Sequence, residues 1–290
     1  MQAANVEVAV RSDDQLGEAP HWDPLTRLLT WVDIHGGRVH RWDPSTGNHT
    51  TMALGEEVSF AITRSHGGLI IGTAQTIAAI DTCGERVTIC ELEHSEGLRC
   101  NDAKCDHAGR LWAGTMSRQR EPGTAALYRL TPPATLDRVL HHTTISNGLG
   151  WNTAGDRFYF IDSPTQRIDL FDFDQLSGAI TNRRPLIWID PRLGMPDGLT
   201  VDAEDGIWVC LFGGGAIHRY SARGALDAVV EMPTSNPTSL TFGGPNLDQL
   251  FVTSAKHHLS EEQLAHEPLA GSLLTVAAGV AGIPANAFAG

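Results

Sequence analysis

Asp197, set between Pro196 and Gly198 in "MPDGLTVDAEDGIWV" (195–209), is an acid placed just ahead of an apolar stretch. Comparable polar residues stand at nearly the same offset before other apolar stretches: Glu18 before Trp22, Asn101 before Asp106, Asn147 before Trp151 and Asn236 before Phe242. A purely structural repeat accepts apolar side chains at such a position. A glutamate, an aspartate and one or two asparagines brought together supply hard oxygen donors, two of them charged. That set suits Ca²⁺, Mg²⁺ or Mn²⁺ better than a thiolate-seeking ion, and it can take Zn²⁺ through its carboxylates. Three protein donors leave positions open for water and substrate, the condition for a catalytic ion. The same set also fits a polar channel hydrogen-bonded around ordered water.

The elements that must position these residues are legible as a repeat. "HWDPLTRLLTWVD", "TRSHGGLIIGT", "CDHAGRLWAGT", "WNTAGDRFYFID", "VDAEDGIWVCL" and "TFGGPNLDQLFVT" share one pattern, a polar Gly/Asp/Pro turn followed by a short alternating strand, at intervals of about 40 to 50 residues. Further strand-and-turn units such as "GRVHRWDPSTG" and "AIHRYSARG" follow them. Several short strands per unit predict an all-β, six-bladed β-propeller with four-stranded antiparallel blades around a central channel. The whole chain, 1–290, reads as a single domain of this kind. Its first strands line the channel, so Glu18, Asn101, Asn147, Asn236 and Asp197 are expected to face one another at one mouth. One helical turn is expected within the last blade, at "SEEQLAHEPL", where Ser260 and Gln263 have capping-box spacing.

Composition narrows the partners. With 34 acids against 21 bases, a formal charge of −13, the chain argues against nucleic acid or an anionic membrane surface. The apolar run "LLTVAAGVAGI" is short of the roughly 20 residues of a membrane span and reads as a final strand. The N-terminal "MQAANVEVAVRSDDQ" lacks the pattern of a secretory signal, and five cysteines without a CxxC pair read as reduced packing thiols; both point to the cytoplasm. The histidine pairs His141/His142 and His257/His258 read as solvated loop residues, with no HExxH spacing, and no GxSxG elbow is present. Trp31, Trp112 and Trp208 occupy matching strand positions and are expected to pack between blades. "LFGGG" (211–215) reads as a tight hairpin near the channel mouth.

The segments "GEAPHWDPLTRLLTWVDI", "RCNDAKCDHAGRLWAGTM", "SNGLGWNTAGDRFYFIDS", "MPDGLTVDAEDGIWV" and "FGGPNLDQLFVTSA" occur in the order seen in the gluconolactonase family, which also holds the regucalcins (senescence marker protein) and luciferin-regenerating enzymes. The chain resembles that family from about residue 15 to about 280. The resemblance implies a propeller with one divalent cation on the axis that hydrolyses sugar lactones. Glu18, Asn147 and Asp197 are then the metal ligands, Asp197 is also the base, and Arg99 and Asn101 hold substrate. One position departs. Gln119 stands three residues beyond "AGTM", where the family carries a substrate-contacting glutamate, and Glu121 is the nearby carboxylate that a loop shift would bring there.

These readings predict a metal-dependent lactonase. The cation, Ca²⁺ or Zn²⁺ with Mg²⁺ and Mn²⁺ as further choices, polarises the lactone carbonyl. Asp197 either takes a proton from the attacking water or orients a water whose pKa the cation has lowered. Asp102, beside Asn101, is either an additional acid of the site or a turn cap. The expected partner is a small sugar lactone, and a monomer is compatible with the sequence. Two alternatives stand beside the lactonase: a non-catalytic calcium-binding or protein-binding propeller, and a metal-dependent esterase or organophosphatase of related fold.

Overall fold

The computed structural model describes residues 5–92 and 97–290; the first four residues of the N-terminal stretch read above lie outside it. Six four-stranded antiparallel sheets follow one another around an axis. Blade 1 runs outward through Gly17–Asp23, Leu28–Asp33, Arg38–Trp42 and His49–Ala53. Blade 2 comprises Val58–Thr63, Leu69–Thr73, Thr76–Ile80 and Arg86–Glu91. Blade 3 is Leu98–Cys105, Leu111–Ser117, Ala125–Thr131 and Thr135–Thr143. Blade 4 is Ser146–Trp151, Arg157–Asp162, Arg167–Asp174 and Ala179–Trp188. Blade 5 is Met195–Val201, Ile207–Phe212, Ala216–Tyr220 and Leu226–Glu231. Blade 6 takes Pro237–Gly243, Gln249–Ser254 and Leu273–Ala277 from the C-terminal part of the chain, and its outermost strand, Val6–Val10, from the N-terminal part.

The repeating turn has a physical cause. In blades 3 and 5 an aspartate follows the inner strand, and its carboxylate accepts both turn N–H groups and the indole N–H of a tryptophan six residues on. Asp106 takes Ala108 N, Arg110 N and Trp112 Nε1; Asp202 takes Glu204 N, Gly206 N and Trp208 Nε1. The tryptophans themselves are buried, and Trp112 and Trp208 pack against aromatic rings of the next blade, as expected. Apolar clusters fill the space between neighbouring blades, for example Leu199, Val201 and Val209 against Tyr159 and Ile161.

Ring closure was not visible in the repeat pattern. Val6 pairs with Val276 and Val8 with Leu274, so the two ends of the chain share one sheet. Beyond Leu273–Ala277, the last strand in chain order, the tail crosses the end of the channel away from the loops within blades 3 and 6 that carry Arg120 and His257. Phe288, fully buried, donates its N–H to Thr63 and accepts from Ser65, and Arg64 Nε binds the Gly290 carbonyl. The helix Glu261–His266 lies within blade 6 with the reciprocal Ser260/Gln263 capping box. No helix among the described residues is long and apolar enough to cross a membrane. All five cysteines are free; Cys100, Cys105 and Cys210 are packed inside, whereas Cys83 is exposed and Cys90 half-buried.

Candidate active site

Each inner strand slips its antiparallel register near the same height. The irregularities fall between Glu18 and His21, Val58 and Phe60, Cys100 and Ala103, Ser146 and Leu149, Pro196 and Leu199, and Pro237 and Leu240. A bulge leaves residues unpaired and re-aims their side chains, which is how an inner strand turns a polar group toward the channel. In blades 2 and 6 the residue at the slip is a small hydroxyl committed to its neighbour: Ser59 donates to the Cys100 carbonyl and Thr238 to that of Gly17. Blades 3, 4 and 5 place Asn101, Asn147 and Asp197 there instead, and blade 1 places Glu18 at its edge. Gly148 and Gly198 are required for close approach. A Cβ on Gly148 would meet the Leu199 nitrogen at 2.5 Å, and one on Gly198 would meet the Ser239 hydroxyl at 2.3 Å. Asn-Gly and Asp-Gly therefore couple a polar ligand to tight packing of adjacent blades.

Glu18, Arg99, Asn101, Asn147 and Asp197 line one pocket enclosing about 470 Å³ of open space, with Leu16, Met116, Ile145, Met195 and Phe212 as its apolar walls. Burial pushes the Glu18 carboxyl well above the usual glutamate range, and repulsion from Asp197 and then Asp102 pushes it further. Burial likewise raises Asp197, with Asp102 adding to it while a hydrogen bond from Asn147 and the charge of Arg99 act against it. The Asn147 amide nitrogen donates to Ser163 Oγ at 3.1 Å, and its oxygen Oδ1 is buried without a partner. Arg99 is buried, with burial lowering it to about 10; its Nη1 donates to the Cys100 carbonyl at 2.7 Å and to Asn101 Oδ1 at 2.8 Å. Asn101 is thereby clamped, its Nδ2 donating to the Ser146 carbonyl. Asp102 is buried behind the pocket lining. Its Oδ1 accepts from Ala103 N, its Oδ2 has no partner, and burial raises its carboxyl.

Among the described residues no three Asp, Glu, His or Cys side chains gather at one point; beside Glu18 and Asp197 the further side-chain oxygen of the pocket lining without a partner is that of the Asn147 amide. Gln119 and Glu121 lie exposed on the loop after Leu111–Ser117 and are not brought to the pocket; the residue between them, Arg120, is. Arg120 is itself exposed and has a left-handed φ of 56°. Asn236 sits below the rim, where its side chain accepts from Gly213 N and donates to the His257 carbonyl, holding the "LFGGG" hairpin against the blade 6 loop. Of the histidine pairs read as solvated loop residues, His141 and His142 are exposed but stand on the strand Thr135–Thr143, and exposed His258 and half-buried His257 are on a loop that also lines the pocket; elsewhere His21, His40 and His218 are buried. No spacing signal marks Arg120, His257 or His258, because they lie on loops that the repeat does not constrain.

A second cavity, about 680 Å³, lies at the opposite end of the channel under the C-terminal tail. It is lined by His21, Lys104 and mostly apolar groups such as Ile62, Val201, Ile283 and Pro284. Burial holds His21 down to about 4, so it is neutral near pH 7. Among the described residues that line this cavity there is no carboxylate.

Three comparisons bear on the site. The SMP-30/Gluconolactonase/LRE-like region, a sequence family, matches residues 16–256. The chain is similar to a regucalcin of Danio rerio, 34% identical with both chains fully covered, and to a putative sugar lactone lactonase, YvrE, of Bacillus subtilis, 34% identical over 95% of each. Among solved structures it is similar to a luciferin-regenerating enzyme, 32% identical at a TM-score of 0.88, covering 99% of this chain and 98% of that one. It also resembles a calcium-binding protein, regucalcin, of Agrobacterium tumefaciens, 28% identical at a TM-score of 0.94 with the same coverage.

Proposed function

Because the chain belongs to the SMP-30/Gluconolactonase/LRE-like family, we propose that it opens sugar lactones to the corresponding sugar acids in the pocket at the channel mouth. The observation that carries this reading is the convergence there of Glu18, Asn147 and Asp197 with Arg99 and Asn101. The first three fit a hard divalent cation: two buried carboxylates that repel each other, and an amide oxygen with no partner. Held by them, Ca²⁺ or Zn²⁺, with Mg²⁺ and Mn²⁺ as further choices, supplies polarisation of the lactone carbonyl.

The chain's own groups do the rest. Asp197 takes the proton of the attacking water or orients a water whose pKa the cation has lowered. The water oxygen bonds to the carbonyl carbon, the ring C–O bond breaks, and the water's proton passes to the departing ring oxygen. Arg99, already hydrogen-bonded to Asn101, presents its remaining N–H groups to the sugar hydroxyls from a fixed position, which limits the ordering left to be done in the transition state. The five free cysteines are in keeping with a cytoplasmic setting.

The test is turnover of a panel of aldono-lactones by chelator-stripped protein, given one cation at a time. Activity that disappears on stripping and returns with one ion is the expected result. The second reading, calcium binding without turnover, is favoured by the description of the Agrobacterium relative as a calcium-binding protein. It becomes the better one if the metal binds and no lactone opens under any cation.

A further inference from the structure

The rim of the same pocket carries positive charge that the chemistry above does not use. Arg120 lines the pocket, and its Nη2 lies 3.0 Å from His258 Nε2, a contact between loops 138 residues apart. Among the described residues Arg120 has no carboxylate within salt-bridge distance. Glu57, which is not part of the pocket lining, is engaged by Arg118 and by His35 at 2.9 Å. Both Arg120 and His258 hold left-handed backbones, with φ of 56° and 69°. Non-glycine residues pay a conformational penalty there that surrounding structure must sustain, and such outliers gather at ligand sites.

The turn that presents Arg120 is itself built: Arg120 N and Glu121 N both bond to Ser117, one to its carbonyl and one to its hydroxyl. The imidazole of His257, with His258 in tilted contact at 3.8 Å, lies on the same rim. Burial and these cationic neighbours hold His257 down to about 4, so it is a neutral hydrogen-bonding group and the charge rests on the arginines. On a chain whose formal charge is −13, an arginine that lines this pocket and has no carboxylate partner among the described residues is a selective feature.

We propose that the preferred substrate is a sugar lactone bearing a second, anionic group remote from the lactone carbonyl, a carboxylate or a phosphate, which Arg120 binds with His258 and His257 at its side. This rests on the lactonase reading and adds to it the charge class of the substrate. Charge-assisted bonds to a guanidinium bring both strength and orientation, whereas a neutral aldono-lactone leaves Arg120 to water.

The test compares kcat/KM for three lactones of the same ring: a neutral aldono-lactone, an aldaro-lactone with a terminal carboxylate, and a lactone phosphorylated on the terminal hydroxyl. At least one anionic form is expected to be preferred by about tenfold or more, and the preference shrinks as ionic strength rises. The better of the two identifies the anionic group. Arg120→Ala collapses the ratio of anionic to neutral kcat/KM, chiefly through KM, and Arg120→Lys restores part of it. Circular dichroism establishes that both variants fold. A neutral lactone turned over as well as or better than both anionic forms overturns the inference and leaves the lactonase standing. A preference that survives Arg120→Ala intact overturns the role of Arg120. Failure of every lactone under every cation overturns the lactonase reading and this inference with it.

Discussion

Two aspartates at the ends of one strand show how this fold separates support from reactivity. Asp202, just beyond Met195–Val201, is fully buried and accepts from Glu204 N, Gly206 N, Trp208 Nε1 and Arg219 Nε. Asp197, five residues earlier and also buried, accepts from Asn147 but faces Asp102 and Glu18, and its carboxyl is raised in consequence. The difference is one of partners. A carboxylate surrounded by donors fixes a turn; one that faces other acids has an unmet demand for positive charge, and on that demand the proposal of a reactive end rests.

The sharpest way to break the comparison is to make the same change at both positions. Asp197→Asn should lower turnover by about a thousandfold or more, while stability in the cation-free protein is unchanged or raised because one repelling charge is gone. Asp202→Asn should do the reverse. Its new N–H₂ group opposes the Trp208 and Arg219 donors, costing about 3–5 kcal/mol in urea unfolding, with normal turnover per folded molecule. Equal effects on both variants would erase the distinction.

The supporting end can be probed further at its strap. Phe288→Ala empties a fully buried site between blades 2 and 3 and should cost about 3 kcal/mol by thermal or urea unfolding, with turnover at 25 °C retained. A loss of turnover at full folding would mean that the strapped end communicates with the mouth.

A smaller effect concerns pH. His21, at the strapped end, stays neutral in the native protein down to about 4, whereas the unfolded chain binds its proton near 6.5. Its contribution is therefore complete above pH 6.5 and is lost as pH falls from 6.5 to 4, by at most about 3 kcal/mol. Urea unfolding at pH 7 and pH 4.5 should show a smaller acid loss in His21→Gln than in the parent protein.

Much of the pocket was legible because it lies on the repeat. Glu18, Asn101, Asn147 and Asp197 stand four or five residues before their anchors, and in a propeller similar offsets become similar heights on the axis. Arg99, two residues before Asn101, comes with them. Asn236, six residues before Phe242 rather than four or five, lies ahead of the register slip at Thr238 and serves the rim from below. Offset alone does not report where a bulge falls, and the bulge decides which residue turns inward. Gln119 and Glu121 illustrate the same limit in a loop: Arg120, between them, is the residue that lines the pocket.

By itself the sequence determined the blades, since alternating strands separated by Asp- and Gly-bearing turns have one efficient way to bury their faces at this period, and it determined which inner strands carry acids and amides. Tertiary structure alone decided the rest. The pairing of Val6–Val10 with Leu273–Ala277, the burial of Phe288 and the meeting of Arg120 with His258 join segments far apart in the chain. None of these contacts leaves a local periodicity, because each depends on the ring having closed.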